Sequence, residues 1–281
     1  MKFSIVTPNY NYGRFLRKAI QSVFDQASSS DVSVEHIVVD GGSTDDSVSI
    51  LKDWAAFAAA QPAAKDGRYS FSYVSEPDHG QTDAINKGLR RATGDIVAWL
   101  NADEWYLPGK LALVAAEFAR RPKTDFIYGE PLFVDKDGKP IRVKWDHWPS
   151  RFVLLCHDCH IASCCSFWRR ELLDKDGFLD SSFKVAMDYE YWCRLVRHGR
   201  RFRFCPHVIG VFIWHEGNVS FSFAERGRAE VSEVKRRHST GLVRSIVRSN
   251  AGMSFLDAMS HQWRRFLIIL RMMTLPKDRL T

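Results

Sequence analysis

The 281-residue chain predicts an α/β fold, a right-handed and mostly parallel sheet with helices on both faces, followed by a helical C-terminal extension. Three observations carry this. Short apolar runs alternate with helical patterns over residues 1–105. The runs around Ile37-Val38-Val39 and Ile96-Val97-Ala98-Trp99-Leu100 are apolar throughout, as strands buried on both faces are. Three runs end in polar residues, at Thr7-Pro8-Asn9, Asp40-Gly41-Gly42 and Asn101-Ala102-Asp103. Ligand sites in such sheets lie beyond the carboxyl ends of the strands.

Phe3-Ser4-Ile5-Val6-Thr7-Pro8 reads as a first strand, stopped by proline. Over 13–26, Phe15, Leu16, Ala19, Ile20, Val23 and Phe24 share one helical face. His36–Asp40 is a second strand. After the loop 41–46, Ser43 or Thr44 is positioned to cap a helix over about 45–60, with acids in its first turn. Tyr69–Val74 is a third strand, 80–92 a helix and Ile96–Leu100 a fourth strand. Beyond Leu107-Pro108-Gly109 a helix is expected to about 120. Asp125–Gly129 and Pro131–Val134 read as two strands, with a turn at Asp137-Gly138. A helix follows over 187–199 and an extended stretch over 201–214. Residues 225–281 read as two or three helices, broken near Asn250-Ala251-Gly252.

Composition bounds the function. With 45% hydrophobic and 26% charged residues the chain is not disordered, and no 18-residue apolar run predicts a membrane span. The N-terminal apolar stretch is too short for a signal peptide, so a cytoplasmic protein with reduced thiols is expected. Residues 225–281 hold twelve Lys/Arg against five Asp/Glu, which is the whole net charge of +7. Residues 1–224 are therefore balanced, which argues against a nucleic-acid partner for the body. No Gly-x-Gly-x-x-Gly and no Gly-x-x-x-x-Gly-Lys-Ser/Thr is present.

Several residues have the chemistry for a site, each with a plainer reading beside it. Asp103, after a buried strand, suits a hard divalent cation shared with diphosphate oxygens, or simply a solvated turn. Asp40 can accept the ring N–H of a uracil or thymine, or cap a turn. Glu76, Asp78, Gln81, Asp83, Asn86 and Lys87 crowd one loop and helix start. Lys87 is a point charge suited to a diphosphate, or part of an exposed helix face. Asp188 can take a proton from a sugar hydroxyl, or complement a helix dipole. His215 can complete a metal site, touch phosphate, or be a satisfied surface residue. Cys156-His157-Asp158-Cys159-His160 with Cys164-Cys165 lacks zinc-knuckle spacing and reads as small buried thiols.

Taken together, these pieces resemble the family 2 glycosyltransferases. The matching segments are Ser4–Asn11, Val39–Ser47, Ser75–Gly88, Ala92–Glu104 and Met187–Trp192, in order and spacing across about residues 2–220. The resemblance implies the GT-A fold, with a Rossmann-like sheet. Residues 1–224 would be the transferase domain, 1–105 its nucleotide-sugar half and 106–224 its acceptor half, with 225–281 as the basic helical extension. It also implies inverting transfer from a nucleotide-diphosphate sugar, UDP-linked by preference, to a hydroxyl of a glycan or lipid-linked acceptor, assisted by Mn²⁺ or Mg²⁺. By position Thr7, Pro8 and Asn9 would line the nucleoside pocket and Asp40 would read the base. Asp78, Asp83 and Lys87 would border the donor, and Asn101-Ala102-Asp103 would replace the family's Asp-x-Asp. Asp103 and His215 would hold the metal, and Asp188 would be the catalytic base. Asn101 removes one charge from that metal site, Glu104 replaces a common Asp, and Met187 stands where many members have Glu.

The segment Trp263–Met273 is apolar with basic flanks and too short to span a bilayer. It suits peripheral contact with the inner face of a membrane through 255–281, or packing on the body or in a homodimer. Two other functions fit a similar sheet: a sugar nucleotidyltransferase, which would usually need a Gly-rich basic loop after the first strand, and a non-catalytic nucleotide-sugar-binding relative.

Overall fold

The computed structural model describes residues 1–156, 159–215, 224–239, 246 and 250–274. His157, Asp158 and residues 275–281 of the basic tail thus lie outside the described residues. The N-terminal half contains β1 (Lys2–Asn9), α1 (Gly13–Ser28), β2 (Ser33–Asp40), α2 (Ser47–Ala60), α3 (Pro62–Lys65), β3 (Tyr69–Ser75), α4 (Gln81–Arg91), β4 (Ile96–Trp99) and β5 (Glu104–Tyr106). Then come α5 (Lys110–Arg120), β6 (Phe126–Val134), β7 (Pro140–Val143), α6 (Arg151–Cys156), β8 (Ser166–Arg169), α7 (Glu171–Asp176), α8 (Met187–Arg197) and β9 (Phe202–Ile213). The extension supplies α9 (Ala224–His238) and α10 (Asn250–Thr274).

The sheet runs β3-β2-β1-β4-β8-β6-β9-β5, with β7 on β6. The pairs β1–β2, β1–β4, β2–β3 and β6–β9 are parallel; β8 is antiparallel to β4 and β6, and β5 to β9. The register puts Asn9 beside Asp40 and Asp40 beside Ser75, so three strand ends finish in one row. Gly88 of α4 lies on Val6, where a Cβ would come within 2.3 Å of a methyl carbon, so this helix sits unusually close to the strand. Trp99 of β4 stacks on Trp192 of α8 at 5.5 Å, with Trp168 of β8 edge-on to both. That aromatic wedge fixes α8 against the sheet, and the Tyr189 hydroxyl, donating to Leu154 O, ties it to α6.

Four sequence expectations change. Residues 126–134 form one strand, not two: Pro131 is tolerated because the register with β9 shifts on both sides of Glu130. Neither Ser43 nor Thr44 caps α2; Ser43 turns to Asp40, and Asp45 Oδ1 takes the N–H of Ser47. No acid lies in the first turn of α2, which begins two residues later than expected. The expected break at Asn250–Gly252 is a helix start, with Gly252 inside α10. The short strands β5, β7 and β8 have too few residues for a periodicity to show.

Candidate functional site

Asp40 ends β2 with its side chain completely buried. Its two oxygens accept from Asn9 Nδ2 (2.6 Å), Ser43 N (3.0 Å), Ser43 Oγ (2.5 Å) and Ser75 Oγ (2.6 Å). Burial alone would raise its pKa, but these hydrogen bonds outweigh it and hold the carboxyl below the usual range. The Oδ1 of Asn9 is buried and has no hydrogen-bond partner among the described residues. Asn11, at φ +57°, accepts the N–H groups of Thr44 and Asp45 on its side-chain Oδ1, so the loops after β1 and β2 are stitched together.

Thr7 and Pro8 are buried in β1. The Thr7 hydroxyl faces His36 at 2.9 Å inside the core, so what Thr7 offers a ligand is main chain. Burial pushes His36 down to about 3, and the ring is neutral. Asp78 accepts the N–H of Gly80 and packs against Gly41, where a Cβ would lie 2.6 Å from its carboxylate. A side chain at Gly41 would require the Asp78 carboxylate to move aside. Asp83 accepts the N–H of His79 at 3.1 Å. Lys87 is held by Glu76 at 3.0 Å, Asp83 at 3.7 Å and the Pro77 carbonyl at 3.2 Å. Its charge therefore faces its own loop in this structure.

The chain after β4 brings the acidic group together. Gln81 Nε2 donates to Asn101 Oδ1 at 2.8 Å, and Asn101 N donates to Glu104 Oε2 at 2.9 Å. Ala102 is buried beneath them. Asp103 Oδ2 lies 2.9 Å from His215 Nε2, and both side chains are mostly buried. His215 stacks near Phe15 and Tyr12 at ring distances of 5.2 and 6.0 Å. Burial raises the Asp103 carboxyl, and the histidine offsets part of that. Glu104, 2% exposed, is pushed up to about 8 by burial, with Asp103 and Asp188 adding to the shift. Asp188, half-buried in the first turn of α8, thus lies close enough to act on Glu104 electrostatically. Its own Oδ1 accepts the N–H of Tyr189 at 2.7 Å.

The donor set fits a divalent cation. A carboxylate and an imidazole nitrogen 2.9 Å apart share a proton where they can instead share a metal. Beside them Glu104 Oε1 is buried with no hydrogen-bond partner among the described residues. The structure therefore gathers Asn101, Ala102, Asp103, His215 and Asp188 in one region, and Asn9, Asp40 and Asp78 along the adjoining strand ends. Sequence reasoning missed Ser75 and Asn11, whose roles arise from strand register and loop pairing, and undervalued Glu104. The turn before α8 hides another partner. Glu230 of α9 accepts the N–H groups of Lys184, Val185 and Ala186 at 2.8–3.1 Å, a contact across 44 to 46 residues with no local signal.

Comparisons with known proteins agree with this picture. The model of the family described as glycosyl transferase family 2 matches residues 4–177. An uncharacterised glycosyltransferase of Nostoc sp. is 36% identical over 118 residues, which is 42% of this chain and 33% of that protein. A PGL/p-HBAD biosynthesis glycosyltransferase of Mycobacterium tuberculosis is 24% identical over 249 residues, covering 88% of this chain and 90% of that one. Among solved structures, S. aureus TarS in complex with UDP-GlcNAc superposes with a TM-score of 0.62 at 18% identity, over 93% of this chain and 72% of that one. The mannosyltransferase PcManGT of Pyrobaculum calidifontis, in complex with GDP-Man and Mn²⁺, gives 0.62 at 15% identity, over 99% and 77%. At these identities the two structures speak for the fold alone.

Proposed function

This chain belongs to glycosyl transferase family 2, and we propose that it transfers a sugar, with inversion, from a nucleoside-diphosphate donor to a hydroxyl of a glycan or lipid-linked acceptor. The observation that carries this reading is the Asp103–His215 pair, where the loop from β4 to β5 meets the end of β9, with Asp188 near enough to act on neighbouring Glu104. The nucleotide sugars named for TarS and PcManGT support the donor class.

In this reading the nucleoside lies along the ends of β1 and β2. Asp40 is an acceptor-only anion and suits the ring N–H of uracil, with the Ser43 or Ser75 hydroxyl turning aside to admit it. Asn9 Oδ1 offers a second acceptor. Asp78, Asp83 and Lys87 border the diphosphate side, and Lys87 must leave Glu76 to face it. Asp103 and His215 would hold Mn²⁺ or Mg²⁺, which when bound neutralises charge growing on the leaving diphosphate. Asp188 takes the proton from the acceptor hydroxyl as its oxygen bonds to the anomeric carbon. The bond from that carbon to the diphosphate breaks on the opposite face, and the nucleoside diphosphate leaves.

Helix α10 supports a membrane-proximal acceptor. Phe255, Met259, Trp263, Phe266 and Ile269 form an exposed stripe along it, beside Arg264 and Arg265. Such a face suits peripheral contact with an anionic cytoplasmic leaflet.

Thermal unfolding against a panel of nucleotide sugars, with and without Mn²⁺, tests the core of the reading. A ligand bound only by the folded state adds about 2.7 kcal/mol at a hundredfold excess over Kd. We expect a Mn²⁺-dependent rise with one donor, lost in Asp103→Ala. No rise with any donor in folded protein, and no donor hydrolysis, would return the chain to the non-catalytic reading.

A further inference from the structure

We propose that Asp146, His147 and His160 form a second metal site, apart from Asp103 and His215, that binds Zn²⁺. The three come from two segments: the loop after β7 carries Asp146 and His147, and the stretch after α6 carries His160. Their ligand atoms all lie within 4.8 Å of one another. His147 Nε2 and His160 Nε2 are each 3.8 Å from Asp146 Oδ1, and the two rings stack at 4.6 Å. Exposures are 1% for Asp146, 0% for His147 and 3% for His160.

The surroundings prepare these groups as ligands. His147 Nδ1 lies 2.7 Å from the Trp148 carbonyl, which can only accept. Nδ1 therefore carries the hydrogen, and in the neutral ring the lone pair is on Nε2, the atom that faces Asp146. The backbone is held from several sides. Asp146 N donates to Glu130 Oε1 at 2.8 Å, the Tyr128 hydroxyl donates to His147 O at 2.6 Å, and Arg271 donates to Asp146 O at 3.0 Å. Such a second layer fixes ligand direction before any ion arrives.

Ligand type and spacing favour zinc. Two imidazoles and one carboxylate are a borderline set of the kind zinc accepts, whereas Mg²⁺ prefers oxygen alone. At zinc–ligand distances of about 2.0–2.2 Å, tetrahedral ligand atoms stand roughly 3.3–3.5 Å apart. The two Asp146–histidine separations of 3.8 Å need to close by only a few tenths of an ångström, and the two histidine nitrogens, within 4.8 Å of each other, must draw together as well. A cavity lined by Tyr128, Ser150, His160 and Phe202 leads to His160.

The site is distinct from the first. Tyr128 and Glu130, which hold this cluster, precede Val134 by six and four residues on β6, and Val134 O accepts from Trp214 N beside His215. At about 3.3 Å per residue that is roughly 13–20 Å. The cysteines of the same stretch are not needed: Cys156, Cys164 and Cys165 are buried, and burial raises the Cys156 thiol. An ion here would clasp the loop after β7 to the segment after α6 and, through Glu130 and Arg271, to α10.

The full chain, purified without a histidine tag and stripped by chelator, is titrated with Co²⁺ and Zn²⁺ while Mn²⁺ is kept in excess. We expect one Co²⁺ per chain with the visible absorption of a tetrahedral site, displaced by Zn²⁺ and unaffected in Asp103→Ala. Affinity should fall at least tenfold in His160→Gln and in Asp146→Asn, each checked for native circular dichroism. Should those variants misfold, the wild-type titration still decides. Stripped, folded wild type that shows no tetrahedral absorption, or whose only Co²⁺ site disappears in Asp103→Ala, overturns the proposal and leaves an ordinary buried His–Asp cluster.

Discussion

Asp103 and His215 are 112 positions apart in the chain and 2.9 Å apart in space. Each was legible on its own, Asp103 because it follows an apolar strand and His215 because it follows another, but their meeting depends on β5 pairing with β9. The same holds for Asp40. Its place at a strand end is visible in the sequence, while two of its four donors, Asn9 and Ser75, come from the register of the neighbouring strands; the other two are from Ser43 in its own loop. Glu104 gave little sign of its importance, because a carboxyl next to an Asp reads as surface until both prove buried. At this scale the decisive variant is Asp188→Asn. It removes the proposed proton acceptor, keeps the shape, and leaves the Oδ1 bond to Tyr189 N available. We expect turnover to fall by about 10²–10⁴ with donor affinity retained. Wild-type turnover in a coupled nucleotide-release assay would remove Asp188 from its role.

Helices α1, α4, α5 and α8 were legible because their apolar faces repeat with helical period; the boundaries drifted where caps depend on distant partners. The turn into α8 is the clearest case. Glu230 takes three main-chain N–H groups there and is itself gripped by Arg226 at 2.7 Å. Those donors outweigh burial and hold its carboxyl below the usual range. The extension, set apart as 225–281 on charge, thus helps to seat the helix that carries Asp188. Glu190 of α8 adds to the join by meeting His238 of α9 at 3.1 Å. Glu230→Ala should lower kcat about tenfold, the effect of losing roughly 1.4 kcal/mol of positioning. Donor-induced thermal shift should be unchanged, and Glu230→Gln should recover part of the rate. Equal loss of donor binding would make Glu230 a general stability residue instead.

For the molecule as a whole, charge is the most legible property and packing the least. The +7 of residues 225–281 is plain in the sequence, but whether α10 faces solvent or the body is not a matter of composition. The helix does both. Leu256, Ser260 and Arg271 are buried, with Arg271 paired to Glu130, while Phe255, Met259, Trp263 and Phe266 point outward. Among the described residues no helix is long and apolar enough to cross a membrane. Flotation with vesicles containing anionic lipid should carry the protein upward at low salt and release it as salt screens the charge. Trp263→Glu with Phe266→Glu should abolish flotation and leave transfer to a soluble acceptor intact. Failure to float at low salt, with a concentration-dependent dimer lost in the same double variant, would assign the stripe to self-association.

The bond from Glu230 to the turn before α8 also sets an order in time. A ribosome that has just delivered the turn Lys184–Ala186 has not yet delivered its seat, and 44 to 46 further residues must follow. At 5–20 residues per second that interval is about 2–9 s. During it the three N–H groups have water for a partner, and the helix carrying Asp188 lacks the anchor that Glu230 supplies. Residues 1–105, the half proposed to take the nucleotide, are complete before that interval begins, so on that proposal the nascent chain can hold a donor before it can spend it.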